Sequence, residues 1–221
     1  MSVEKNTFAG EVDDQRSTAE EGARLLMSET LAPLWYGKFM ETVQRHESSP
    51  ALREAAIQGQ LGKWTRALTG VVCSTCEAMG WKAAAKGNRS HLLPVSGEEY
   101  LALDVVAFEP SGDRRWRFPV AVVELENSRT DNRVAYSLWK VLCTRADLRI
   151  VFCYRKDVAE GTALVKHLSE QVAAAMGIQE RTQIGGEIML IVGSRNESAT
   201  FPYGFFKERQ FDKNLGRFGR T

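Results

Sequence analysis

Three carboxylates stand where apolar strands should have none. Asp104 lies between Leu103 and Val105 in the run Tyr100-Leu-Ala-Leu-Asp-Val-Val-Ala-Phe108, and Glu124 and Glu126 follow the run Val120-Ala-Val-Val123. An ionised carboxylate in an apolar medium is costly unless it is paired or holds a metal. Side chains alternate along a strand, so Glu124 and Glu126 share one face, with Cα atoms roughly 6.5 Å apart, and Leu125 points to the other. Asp104 faces Glu124 if the hairpin joining the two runs is centred near Arg114, just past the turn signal Pro110-Ser-Gly-Asp113. Three converging carboxylates make a hard oxygen site suited to Mg²⁺ or Mn²⁺.

The elements that must hold these acids are legible around them. Trp64, Leu68, Val71, Val72 and Met79 recur at threes and fours, which predicts a helix from about Leu61 to Met79, stopped by Gly80. A short strand over 81–85 and hairpin strands over 99–109 and 116–126 come next. A helix over 131–146 turns Val134, Leu138, Val141 and Leu142 inward, and Leu148 to Tyr154 reads as a buried strand. A helix over 162–176, stopped by Gly177, leads to a further buried strand within 187–193. Upstream, residues 1–16 are polar and unpatterned and read as disordered. Ser17-Thr18 with Glu20 and Glu21 resembles a capping box opening a helix. Pro33 interrupts or restarts that helix before Leu34, Trp35, Phe39 and Val43, and Ser49-Pro50 opens another. No repeat and no interdomain linker appears, so residues 17–221 read as one α/β domain. Its core spans about 60–155, between N-terminal helices over 17–58 and a C-terminal helix, strand and tail over 160–221.

Composition narrows the class. With 43% hydrophobic and 26% charged residues the chain is an ordinary globular protein. No apolar run approaches the ~20 residues of a membrane span. The acidic N-terminus lacks the apolar stretch of a signal peptide, which points to a cytoplasmic protein. A net charge of +1 exerts no strong global pull on nucleic acid, but the tail from Phe201 interleaves Phe205, Phe206, Phe211 and Phe218 with basic residues. That pattern fits a nucleic-acid stacking surface, a packed terminal segment or an oligomer contact. Cys73-x-x-Cys76 is half of a zinc spacing with no second half, and it falls on a helical face, where packing is the reading. His46, His91 and His167 are scattered without a nucleophile–base pattern.

The order helix, three strands, helix, strand over about residues 60–155, with its acids, resembles the PD-(D/E)XK nuclease superfamily. Its motif is an Asp on the second strand and (D/E)-x-K on the third; here the positions read Asp104 and Glu124-Leu125-Glu126. The resemblance implies a restriction-endonuclease-like αβββαβ core with a mixed sheet flanked by helices. It also implies metal ligation by Asp104, Glu124 and the backbone carbonyl of Leu125. The lysine position holds Glu126, as in some active Glu-x-Glu members. In others the lysine has migrated to the next helix, where Lys140 is the candidate. Many members add an acid from the first helix, which makes Glu77 a further candidate ligand.

The activity implied by this resemblance is that of a Mg²⁺- or Mn²⁺-dependent DNA endonuclease. Asp104 and Glu124 hold the ion, Glu126 orients water or a second ion, and Lys140 polarises the water or neutralises the phosphate. Arg129 and Arg133 flank the site and hold the DNA backbone. Double-strand cutting needs two sites, which is compatible with a homodimer. The alternatives are an inactive nuclease-like subunit that binds nucleic acid or assembles a complex, and a metal-dependent phosphodiesterase acting on RNA or nucleotides. In either case removing Asp104 is expected to relieve repulsion among the acids and leave the fold intact.

Overall fold

Alternating apolar residues divide each central strand between two faces. On the third strand Ala121, Val123 and Leu125 point one way and Val122 and Glu124 the other, so the sheet must be covered on both sides. The computed structural model describes residues 31–45, 47 and 49–219. The helix opened at Ser17, the polar stretch 1–16 and His46 lie outside them. The elements are α1 (Leu31–Arg45), α2 (Ser49–Gln58), α3 (Leu61–Ala78), β1 (Lys82–Ala85), β2 (Val105–Phe108), β3 (Ala121–Leu125) and α4 (Asp131–Leu142). These are followed by β4 (Leu148–Arg155), α5 (Val158–Gln171), α6 (Ile178–Gln183), β5 (Glu187–Ser194), β6 (Phe206–Asp212) and β7 (Arg217–Gly219). This is an α/β protein whose seven strands form one mixed sheet in sequential order. Strands β3, β4 and β5 are parallel and the other neighbours antiparallel. Among the described residues no helix is long and apolar enough to cross a membrane.

Helices α1, α2 and α3 cover one face, packing Trp35, Phe39, Leu52, Trp64 and Leu68 on Val105, Val123, Ile150 and Phe152. Helices α4 and α5 cover the other with Val134, Leu138, Val141 and Leu164, over Val122, Val151 and Leu190. Cys73 and Cys76 both lie buried on α3, and burial pushes the Cys76 thiol up to about 12. Pro33 sits in the first turn of α1, where its missing N–H costs no helical bond. The first N–H groups of that helix, on Leu31 and Ala32, donate to the Glu187 carboxylate at 2.7 and 3.1 Å.

Three expectations need correction. The hairpin strands are shorter than 99–109 and 116–126, because a turn occupies 100–103 and the Arg-rich loop after Phe108 closes on itself through Asp113 and Arg117 at 2.8 Å. Helix α4 ends at Leu142 rather than near 146, because the buried Arg149 guanidinium takes the carbonyls of Val141 and Thr144 at 3.1 and 3.0 Å. Helix α5 starts at Val158, where Asp157 accepts the Glu160 N–H at 2.9 Å as an N-cap.

The tail takes the packed reading. Phe206–Asp212 pairs with β5 and Arg217–Gly219 pairs back on it, while Phe205, Phe206 and Phe218 are buried. Phe39 joins α1 to this addition, with its ring 5.2 Å from Phe152 and 5.1 Å from Phe206 between centroids. Phe39→Ala should therefore lower the unfolding free energy by about 3–5 kcal/mol in urea titration. A loss under about 1 kcal/mol would mean that the aromatic cluster does not tie α1 to the sheet.

Candidate functional site

The register of β2 on β3 decides where the acids meet. Val105 pairs with Val123 and Val106 with Val122. One further step along that ladder sets Asp104 across from Glu124, as the hairpin centred at Arg114 requires. Glu124 lies within β3 and is 4 % exposed; Asp104 stands one residue before β2 and is half-buried. Asp104 Oδ2 accepts the Leu125 N–H at 2.7 Å, which locks the two acid-bearing segments together. Lys140 reaches over from α4. Its Nζ lies 2.7 Å from Glu124 Oε1 and donates to the Ala102 carbonyl at 2.8 Å. Ser137, one turn earlier on α4, is buried on the same side of the helix. Glu124 Oε1 is sealed from solvent, and its contact with Lys140 is an ion pair without the alignment of a hydrogen bond.

The backbone before Asp104 is strained. Leu101 and Ala102 adopt φ values of 59° and 54°, the left-handed region that costs non-glycine residues roughly 1–2 kcal/mol each. The Leu103 N–H to Tyr100 carbonyl bond at 3.0 Å closes this turn, and the Lys140–Ala102 bond holds it from outside. Strained backbone of this kind concentrates at functional sites.

Electrostatics follow from burial. Desolvation pushes the Glu124 carboxyl above its ordinary range, opposed by the adjacent Lys140 ammonium and reinforced by the Asp104 charge. Desolvation likewise raises Asp104, opposed by the Leu125 N–H and by Lys140 and reinforced by Glu99 and Glu126.

The other candidates are placed differently. Glu126 follows the end of β3, and its Oε1 accepts the Ser128 N–H at 2.7 Å, folding it onto its own loop. Its charge still reaches Asp104. Glu77 is exposed on α3, across the sheet from Glu124, where it lines a hollow with Lys82, Arg89 and His91. Among the described residues no three His, Cys, Asp or Glu side chains are grouped to hold a metal, so the expected convergence of three carboxylates is a facing pair with a lysine. The reason is that the strand ends one residue before Glu126, so period-2 alternation no longer aims that side chain. Arg133 is exposed on the first turn of α4, and Arg129 is exposed in the loop before it.

That loop is pinned from below. Arg155, 7 % exposed, donates to the carbonyls of Ser128 and Tyr154 at 3.1 and 2.6 Å and to Asp131 Oδ1 at 2.6 Å. Tyr136 and Trp139 are absent from the sequence candidates, yet they are exposed on α4 with ring centroids 6.0 Å apart beside Lys140. Their signal lies in the periodicity: Val134, Leu138 and Val141 already fill the core face of α4, which leaves 136 and 139 to solvent. Comparison with family models, with curated proteins and with solved structures finds no match.

These contacts change one expectation about stability. Asp104→Ala would strand the buried Leu125 N–H, at a cost of about 1–3 kcal/mol, so it is not a neutral substitution. Asp104→Asn keeps an acceptor and removes the charge, and should be neutral or mildly stabilising to the metal-free protein at pH 7. Ala102→Gly should also be neutral or stabilising, where glycine in ordinary backbone costs up to about 1 kcal/mol. Chemical denaturation checks both; a stability loss as large for Asn as for Ala at position 104 would contradict the charge argument. The folded pKa values of Asp104 and Glu124 both lie above their ordinary 3.8 and 4.5, so the folded protein binds these protons more tightly than the unfolded chain. The penalty is absent below the ordinary values and complete above the folded ones. These two groups should therefore make wild-type stability fall as pH rises from about 4 through the raised values, and Asp104→Asn should flatten that fall.

Proposed function

We propose that this chain is a divalent-metal-dependent DNA endonuclease with a restriction-endonuclease-like core. The observation that carries the reading is the β2–β3 register, which sets Asp104 against Glu124, with Lys140 brought to the same carboxylate by the following helix. The order α3-β1-β2-β3-α4-β4, antiparallel through β3 and parallel to β4, supports it, since that is the order the resemblance implies. Lys140 fits the place of a migrated motif lysine.

The donor set suits Mg²⁺ or Mn²⁺, because two carboxylates face each other and already draw one cation, the Lys140 ammonium, to Glu124 Oε1 at 2.7 Å. Asp104, Glu124 and the Leu125 carbonyl would hold the ion, which when bound supplies a Lewis acid for the phosphate and a lowered pKa for water. Lys140, already at the pair, neutralises charge on a phosphate oxygen. Glu126, with one oxygen held by Ser128, has its other oxygen to orient the attacking water. Arg129 and Arg133 hold the strand by its phosphates, and Tyr136 and Trp139 offer stacking surfaces for unpaired bases.

A second reading is favoured by specific contacts. Glu126 stands where the motif has lysine, and Lys140 already neutralises Glu124. Both fit a nuclease-like subunit that binds nucleic acid without cutting it.

A cleavage assay on single- and double-stranded DNA, with RNA alongside, under Mg²⁺, Mn²⁺ and EDTA separates the two. Cutting should need the ion, vanish in Asp104→Asn and Glu124→Gln, and fall by about 10²-fold or more in Lys140→Ala. Mn²⁺ should raise the melting temperature of wild type, by the equivalent of about 2.7 kcal/mol at a hundredfold excess over Kd, and fail to do so in Asp104→Asn. No cutting together with equal Mn²⁺ shifts in both proteins would defeat the enzyme reading and leave the subunit reading standing.

A further inference from the structure

A cleft of about 420 Å³ opens beyond the carboxyl ends of β3 and β4. This is where parallel strands flanked by helices commonly receive ligands, and the volume lies within the roughly 300–1,000 Å³ of small-molecule sites. Asp104, Glu124 and Lys140 do not line it. Four cations do, namely Arg129, Arg155, Lys156 and Arg195, against the two carboxylates of Asp131 and Glu160.

The pairing inside the cleft leaves its charge uncompensated. Arg155 is committed to Asp131 at 2.6 Å. Glu160 accepts the main-chain N–H of Lys156 at 3.0 Å at the start of α5, not an ammonium. Among the described residues the side chains of Arg129, Lys156 and Arg195 form no ion pair. Arg195 Nε is buried without a hydrogen-bond acceptor, and its guanidinium carbon stands 5.4 Å from the centroid of the Tyr154 ring. Three unpaired cations brought into one concavity repel each other, and an anion bound among them offsets that repulsion.

The shape of the anion follows from the donors and walls. Arginine forks match phosphate oxygens, and a terminal phosphate monoester carries about −1.5 to −2 charges at pH 7. The cleft is larger than one phosphate, and Leu61, Tyr154 and Ala163 stand in its lining beside the charged groups. We infer that this cleft binds the terminal phosphate monoester of a nucleotide through Arg129, Lys156 and Arg195, with the attached nucleoside against Leu61 and Tyr154. The source is either the phosphorylated end of a nucleic-acid strand or a free nucleotide. The inference stands whether or not the acid pair cuts DNA.

Titration in EDTA removes any contribution of a cation at the acid pair. The full chain is titrated with a 5′-phosphorylated single-stranded decanucleotide, the same strand with a 5′-hydroxyl, a nucleoside 5′-monophosphate and inorganic phosphate. The phosphorylated strand or the monophosphate should bind at least tenfold tighter than the 5′-hydroxyl strand. Arg129→Ala/Lys156→Ala, at solvent-exposed positions, should remove that preference without lowering the melting temperature, and Asp104→Asn should keep it. A strand that binds where the monophosphate does not marks a strand-end site; equal binding of the two marks a free-nucleotide site. Equal affinity for phosphorylated and hydroxyl strands with no binding of the monophosphate would overturn the inference. So would a phosphate preference surviving the double variant, or inorganic phosphate binding as tightly as the nucleotide. A double variant that melts lower is replaced by Arg129→Gln/Lys156→Gln, read against the same outcomes.

Discussion

A carboxylate at 4 % exposure in the middle of a seven-stranded sheet has to be met by other groups, and much of the candidate site is arranged around meeting Glu124. Its strand neighbours are all buried, so the strand itself offers no solvent route for the charge. Lys140 comes down on it from α4, which places that helix over β3 at the height of the acid. Lys140 extends the arrangement by bonding Ala102, so one ammonium joins α4, β3 and the strained turn that presents Asp104. Desolvation still pushes the Glu124 carboxyl above its ordinary range, against the opposing effect of Lys140.

The sheet changes character at β3. On one side it is an antiparallel arrangement with β2 and β1; on the other, parallel strands joined through α4 and α5. The antiparallel pairing faces one acid with another at close range. The parallel pairing gathers the loops after β3 and β4 at one edge, which is why Arg129 and Lys156, 27 positions apart, line one cleft. Arg155 stabilises both regions, since its guanidinium fixes the loop that leads from Glu126 into α4. Acid pair and basic cleft are thus neighbours by chain path, separated by a loop of five residues between β3 and α4.

Short-range pattern alone was enough for several features. Period 3.6 determined α3 and most of α4, whereas Lys140 was a candidate only through the family resemblance. Asp104 faces Glu124 on the condition that the hairpin is centred near Arg114, just past the turn signal, and the β2–β3 register meets that condition. The helical periods are properties of neighbours within a few residues of each other, where backbone geometry leaves few options, while the facing acids also needed the hairpin to pair as it does.

Other features were decided by the chain path. Glu126 obeys alternation only while β3 lasts, and the Ser128 N–H captures it one residue past the end. Glu77 could be placed on a helix from sequence, but which face of the sheet that helix covers depends on how α1, α2 and α3 share the apolar surface. The tail's phenylalanines and charges fit a packed terminal segment as well as a stacking surface or an oligomer contact, and the ladder with β5 and the apolar contact with Phe39 pack it on the sheet. The convergence of Lys156 and Arg195 with Arg129 had no local signature, because it arises from three loops at one sheet edge. Sequence determined which residues are acidic, basic or apolar and the short-range geometry of each element; long-range packing decided which of them meet, because burial of apolar area acts over the whole chain at once.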